Sequence, residues 1–144
     1  RIMIDKEVIT RIINDLLANN YDDYMAEIDK VISYVEQSSK KTGVDFIKVD
    51  EAFHDSLVML INNSRLIKLY QDIRNQTRVF RQITSYNEQR VKRALDAHRR
   101  MLLAIKEMNL DLALKIATEH VELSRKDALE DIKALRISKE DDVC

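Results

Sequence analysis

The sequence predicts an all-α protein, an antiparallel bundle of six helices. The 144 residues include no proline and one glycine, so the turns that a β-sandwich or β-barrel needs about every 8–12 residues are missing. Hydrophobic residues make up 45% of the chain, which is too many for a disordered polar segment. Apolar residues also recur with helical spacing along most of the chain.

The first two helices are predicted on either side of the pair Asn19-Asn20. Helical spacing over residues 2–17 predicts the first helix. The second begins at Asn20 or Asp22, because either side chain can accept a hydrogen bond as an N-cap. The two apolar stripes are Ile4, Val8, Ile9, Ile12, Ile13 and Leu16, and then Tyr24, Met25, Ile28, Val31, Ile32 and Val35.

The third and fourth helices are separated by the polar run Asn62-Asn63-Ser64. The lone glycine, Gly43, suits the left-handed position that follows a helix end. Asp45 can then cap the third helix and Ser64 the fourth. Their stripes are Phe46, Val49, Phe53, Leu57, Leu60 and Ile61, and then Leu66, Leu69, Tyr70, Ile73, Thr77 and Phe80.

The fifth and sixth helices follow a break at Thr84-Ser85-Tyr86-Asn87, and Asn109 can cap the sixth. From about Lys126 the chain becomes strongly charged, and we expect this end to fray. No long linker interrupts the chain, so residues 1–144 are expected to form a single domain. The stripes are Val91, Ala94, Leu95, Met101, Leu102 and Ile105, and then Ala113, Ile116, Ala117, Val121 and Leu123.

Composition excludes several classes of function. The 24 basic and 25 acidic residues give a net charge of −1, so this chain is not expected to bind nucleic acid by its own surface. The single cysteine, Cys144, has no partner, which fits a reducing compartment such as the cytoplasm. No run of about 18 apolar residues exists, so no membrane span is expected. The chain begins at Arg1 rather than Met, and we expect further residues upstream.

All three histidines are predicted to face the core. Asp50 and His54 are four residues apart on one helical face, while His98 and His120 lie within the fifth and sixth stripes. An unpaired buried polar group costs about 1–3 kcal/mol, so four such groups in one core need partners. A divalent cation would supply a shared partner, because imidazole nitrogens and a carboxylate oxygen are ligands for Zn²⁺, Ni²⁺, Mn²⁺ or Fe²⁺.

A second interpretation is that each histidine is an ordinary hydrogen-bonded core residue. Other metal motifs fit less well, because His54 completes the only Glu-x-x-His match, where a di-iron bundle needs two. No His-Glu-x-x-His motif is present, and one glycine permits neither a phosphate-binding loop nor a Gly-x-Ser-x-Gly elbow. The residues alone therefore leave a metal site and a metal-free core open.

Four elements in order resemble the FCD domain, the FadR-type C-terminal effector-binding domain of bacterial transcription regulators of the GntR superfamily. They are the Asp-x-x-Phe-His-x-x-Leu signature from Asp50 to Leu57, Asn63-Ser64-Arg65-Leu66 with Asn62 where glycine is usual, the segment around His98 with Ala97 in place of the usual glutamate, and Asn109-Leu110-Asp111-Leu112-Ala113 followed by His120. The resemblance covers about residues 20–133, because we do not find the family's Arg-x-x-Leu-Glu start in the first helix.

The resemblance implies a bundle of six or seven helices that binds a divalent metal, zinc by preference or else nickel, manganese or iron. The family's one aspartate and three histidines correspond to Asp50, His54, His98 and His120. Family members carry a winged helix-turn-helix domain upstream and usually form homodimers. Their effectors are organic acids, sugar acids or fatty acyl compounds. We expect a small carboxylate here, bound at two open metal positions, with Arg78 and Arg81 holding its far end.

The sequence therefore predicts a ligand-sensing domain of a cytoplasmic regulator, and not an enzyme. One alternative is a metal-dependent enzyme in which the same site activates water, although catalytic zinc usually keeps three protein ligands rather than four. The other alternative is a metal-free helical interaction module.

Overall fold

The computed structural model describes residues 1–18, 21–38, 43–84 and 87–141. Within them the chain forms six helices and no strand, which confirms the predicted all-α bundle. The helices are α1 (Ile2–Leu17), α2 (Tyr21–Gln37), α3 (Gly43–Leu60), α4 (Ser64–Ile83), α5 (Glu88–Lys106) and α6 (Leu110–Asp141). The breaks predicted at Asn19-Asn20 and Ser85-Tyr86, the polar residues 39–42, and Cys144 lie outside the described residues.

The core lies between α1, α2, α3, α5 and the first half of α6. Helix α1 packs against α2, α3, α5 and α6, and α5 packs along both α2 and α6. Every residue of the predicted α1 stripe is buried, and so are most inward residues of α2, α3 and α5. The spacing of apolar residues therefore predicted the buried face of these helices correctly, because a helix with 3.6 residues per turn places residues with that spacing on one side.

Helix caps follow the prediction only in part. Asn63 rather than Ser64 caps α4, because its side chain accepts a hydrogen bond from the Leu66 amide. Asp22 and Asp45 are not caps, because α2 and α3 begin before them, and Gly43 opens α3 instead of following a helix end. The predicted cap at Asn109 is confirmed by its hydrogen bond from the Leu112 amide.

Two connections use a left-handed residue that is not glycine. Asn62, between α3 and α4, has a φ of 45°, a conformation that asparagine tolerates better than most residues. Met108 has a φ of 53° after α5, where the amides of Met108 and Asn109 donate to the carbonyls of Ile105 and Ala104. This is a Schellman motif with methionine in the glycine position, a turn for which the sequence carried no glycine signal.

Helix α4 departs most from its predicted stripe. Only Tyr70 and Arg81 are buried, whereas Leu69 and Phe80, both predicted to face inward, are 50% and 53% exposed. The reason is that α4 packs mainly on α3 and α6, at the side of the bundle, so one narrow face is covered. Helix α6 continues to Asp141, well past the start of the charged segment at Lys126, and residues 142–144 lie outside the described part of the chain.

No helix among the described residues has the length and apolar character that crossing a membrane requires.

Candidate metal centre

One aspartate and three histidines meet in the middle of the bundle. Asp50 and His54 lie one turn apart on α3, His98 comes from α5 and His120 from α6. All four are buried, and one potential ligand atom from each lies within 4.8 Å of the others. The structure therefore brings together the four residues that the sequence singled out, from three helices that are distant in the chain.

The distances between these atoms suit a metal ion. Asp50 Oδ1 lies 3.3 Å from His98 Nε2 and 3.7 Å from His54 Nε2. His98 Nε2 lies 3.3 Å from His120 Nε2. A tetrahedral zinc ion with ligands at about 2.0–2.1 Å separates them by about 3.4 Å. The observed separations are close to the distance between two ligands of one ion, so the donor set can hold a divalent ion.

Packing fixes the orientation of the histidine rings. The ring of His98 is fully buried and stacks on Phe53, with centroids 3.9 Å apart and an interplanar angle of 13°. Phe53 also meets the ring of His54 edge-on at 4.8 Å. Phe53 belongs to the Asp-x-x-Phe-His signature, and its position explains why an aromatic residue stands between the two α3 ligands.

Burial and neighbouring charges shift the pKa values of Asp50, His54 and His120. Burial alone would raise the pKa of Asp50, but its interactions with His54 and His98 lower it well below the usual value. Burial lowers the pKa of His54 and of His120 well below the usual value, aided by Arg1 for His54 and by His98 for His120. The direction of these shifts favours an ionised Asp50 and neutral imidazoles at His54 and His120, which are the forms that bind metal ions.

Arg81 joins the site from α4. Its side chain is buried, and its Nη1 donates to Asp50 Oδ2 at 3.0 Å and lies 3.9 Å from Glu51 Oε1. Its Nη2 is buried too and has no hydrogen-bond partner among the described residues. A buried guanidinium N–H without an acceptor is costly, so Arg81 is suited to receive an anionic oxygen. Arg78, the other arginine predicted to hold an effector, is exposed on α4 and does not line the neighbouring cavity.

Arg1 is a site residue that the sequence analysis missed. Its guanidinium contacts His54 Nε2, and its Nε donates to the buried Asp5 one turn along α1. The charges of Asp5 and Asp50 raise the pKa of Arg1 against the opposing effect of burial. The signal was present: Arg1-x-x-Ile4-Asp5 has the spacing of Arg-x-x-Leu-Glu, with isoleucine and aspartate in the last two places.

A cavity of about 420 Å³ opens beside the four residues, between α4, α5 and α6. Asp50, Arg81 and His120 line its buried end, together with Phe46 and Ile116. A volume of this size suits a small organic molecule. Two of the four clustered residues, Asp50 and His120, therefore border the same cavity as Arg81.

The comparison with protein families identifies the chain. A family model of the FCD domain matches residues 1–123. The chain belongs to the FCD family. FCD domains are the ligand-sensing domains of GntR-type regulators, and many bind a metal. The match begins at residue 1 and ends at 123, whereas the sequence elements suggested about 20–133, so α1 with Arg1 and Asp5 is part of the family's domain.

Two further comparisons found nothing, since neither a curated protein nor a solved structure matches the chain significantly.

Proposed function

We propose that this FCD domain binds one divalent metal ion through Asp50, His54, His98 and His120, and a small carboxylate effector beside it. The observation that carries the proposal is the convergence of those four buried side chains within 4.8 Å. Zinc is the ion that we favour, with nickel, manganese or iron as alternatives, because a set of three imidazoles and one carboxylate suits all of them. The domain acts as a sensor and not as an enzyme.

The effector proposal rests on the groups next to the cluster. If the ion is octahedral, four protein ligands leave two positions that carboxylate oxygens can fill. Arg81 Nη2, buried without an acceptor among the described residues, is available to the same carboxylate. Arg1 must release His54 Nε2 when that nitrogen becomes a ligand, and its guanidinium then adds positive charge next to the bound anion. Arg78 is exposed and does not line the cavity, so of the two arginines we retain only Arg81 as a proposed effector contact.

The family places the sensor in a larger regulator. We propose that effector binding changes the arrangement of the helices and so controls a winged helix-turn-helix DNA-binding domain upstream, in a cytoplasmic homodimer. The effector can shift that equilibrium only by its difference in affinity for the two arrangements.

Metal binding is tested by elemental analysis and by calorimetric titration with Zn²⁺. We expect about one equivalent of metal in the purified protein. Removing the metal with a chelator should lower the melting temperature, because a ligand present at 100 times its Kd stabilises the native state by about 2.7 kcal/mol. Asp50→Asn should lose metal affinity, whereas the matched variant Asp45→Asn, exposed on the same helix, should keep it. Protein without metal, in which Asp50→Asn and Asp45→Asn behave alike, would favour the metal-free interaction module.

Effector binding is tested by thermal shift of the metal-loaded protein with a panel of carboxylates, of which acetate is the smallest. Arg81→Gln should abolish the shift, and Arg78→Gln, three residues earlier and exposed, should preserve it. Absence of any shift across the panel would refute the carboxylate part. Consumption of a carboxylate by the loaded protein would instead indicate the metalloenzyme.

A further inference from the structure

The charged residues around the cavity are largely neutralised before any effector enters. Arg90 pairs with Asp131 at 2.7 Å and with Asp127 at 3.6 Å, and Arg93 also pairs with Asp127. Arg100 pairs with Asp96 at 3.7 Å. Arg125 is exposed, where water already hydrates its charge. Arg1, itself paired with Asp5, lies with Arg81 at the buried end of the cavity. Away from that end, every lining arginine among the described residues is ion-paired or exposed, so a second carboxylate meets no buried, unpaired cation there.

The walls between the buried end and the opening are mainly apolar. Ala94 and Ala97 of α5 form one side, and Phe80 of α4 contributes another. The C-terminal half of α6 adds Ala128, Leu129 and Ile132. These three residues lie beyond residue 123, where the match to the family model ends. The lining also includes the hydroxyls of Thr77, Thr84 and Ser124, but each already donates to a backbone carbonyl one helical turn earlier. These walls therefore offer few unused hydrogen-bond partners to the hydroxyl groups of a ligand.

We propose that the effector is a monocarboxylate whose remaining atoms are apolar, an inference that rests on the proposed function. Its carboxylate lies at Arg81 and the metal ligands, and its hydrocarbon part lies along Ala97, Leu129 and Ile132. A sugar acid would bury hydroxyl groups against these side chains without partners, which lowers affinity. A dicarboxylate would bring its second charge to an apolar wall. Each methylene that leaves water for this wall improves affinity by a factor of about four.

The experiment measures the Kd of four probes for the zinc-loaded protein by calorimetry. Acetate presents the carboxylate alone, and octanoate adds an apolar chain. Suberate has the length of octanoate with a second carboxylate, and gluconate is a hydroxylated monocarboxylate. Octanoate has six methylenes more than acetate, and a half-exposed wall takes about three or four of them out of water. We therefore expect octanoate to bind on the order of a hundredfold more tightly than acetate, and suberate and gluconate to gain no more than a fewfold over acetate.

A matched pair of variants locates the chain of octanoate. Leu129 lines the cavity and is 44% exposed, whereas Leu135 lies further along α6, is 48% exposed and does not line it. Leu129→Asp should weaken octanoate binding at least tenfold while leaving acetate unchanged, and Leu135→Asp should change neither. Phe80→Ser, at a half-exposed lining position on α4, provides a second variant should Leu129→Asp fail to fold.

The outcomes separate this inference from the proposed function. Equal affinity for acetate and octanoate, both dependent on Arg81, would overturn the apolar class and leave the carboxylate site standing. Tighter binding of suberate or gluconate than of octanoate would do the same. Octanoate binding that Leu129→Asp and Phe80→Ser leave unchanged would also overturn it. If none of the four probes binds, the proposed effector site fails and the inference fails with it.

Discussion

The centre of the bundle and its outer wall are built by different interactions. At the centre, Phe53 and the three histidines are buried among residues of α1, α3, α5 and the first half of α6. We call α4 together with residues 124–141 of α6 the outer wall. Few of its side chains are buried, and about half or more of the surface of its large apolar residues is exposed, as in Val79, Phe80, Leu135 and Ile137. The wall is connected to α5 by ion pairs from Asp127 and Asp131.

The difference shows where this fold can respond to a ligand. Close-packed cores resist rearrangement and removal of a buried ring is costly, so the packing around Phe53 keeps the four clustered side chains in position. The ion pairs of the wall are only partly exposed and contribute modest stability, and segments with few buried apolar contacts open at low cost in free energy. The cavity lies between the two regions, so an effector inside it contacts a rigid surface on one side and an adjustable one on the other.

The largest expected effect is a matched pair of aromatic truncations across this boundary. Phe53→Ala removes a fully buried ring that stacks on His98, and it should lower the free energy of unfolding by about 3–5 kcal/mol. Phe80→Ala, at a position 53% exposed in the wall, should lower it by less than about 1 kcal/mol. Urea denaturation of both variants measures the difference. Equal losses would mean that α4 is packed as tightly as the core.

A pH dependence of stability should arise from the centre and not from the wall. Burial lowers the pKa values of His54 and His120 in the folded, metal-free protein. Below a pH of about 6.5 the unfolded state therefore binds more protons at these histidines than the folded state does. The free energy of unfolding should therefore decrease as the pH falls through this range, by up to about 1.4 kcal/mol per pH unit for each histidine.

Urea unfolding with a chelator present, repeated between pH 7.5 and 5, measures this slope. His54→Asn should make it shallower, because one of the two histidines no longer titrates. A slope that is flat in the unmodified protein would contradict the burial of neutral imidazoles.

The smallest expected effect concerns the ion pairs of the wall. Asp127→Asn weakens the pairs with Arg90 and Arg93 and should change the free energy of unfolding by about 0.5–1 kcal/mol. Hydrogen exchange in residues 124–141 should nevertheless become faster, since these pairs connect that part of α6 to α5. Asp96→Asn, which removes a pair within α5, is the control and should leave exchange in α6 unchanged. Unchanged exchange in Asp127→Asn would show that apolar contacts hold the wall.

The sequence predicted the ligand cluster well because its residues lie on regular helices. Helical spacing places His98 in the α5 stripe with Leu95 and Met101, and a side chain at such a position is directed into the core of the bundle. The sequence did not distinguish the buried Arg81 from the exposed Arg78, because the two are three residues apart and lie near one side of α4. Arg1 was missed because the family's first motif is present in altered form, and because its partner His54 is 53 residues away in the chain.

By itself the sequence determined the helical class, the inward stripes of α1, α2, α3 and α5, and the four residues proposed as metal ligands, because these follow from local periodicity. Only the tertiary structure decided that the four side chains meet within 4.8 Å, that Arg81 is buried while Arg78 is exposed, and that Phe80 faces the cavity opening rather than the core. The reason is that α4 covers one side of the bundle. How much of a helix is buried depends on its neighbours, and periodicity within the helix does not specify them.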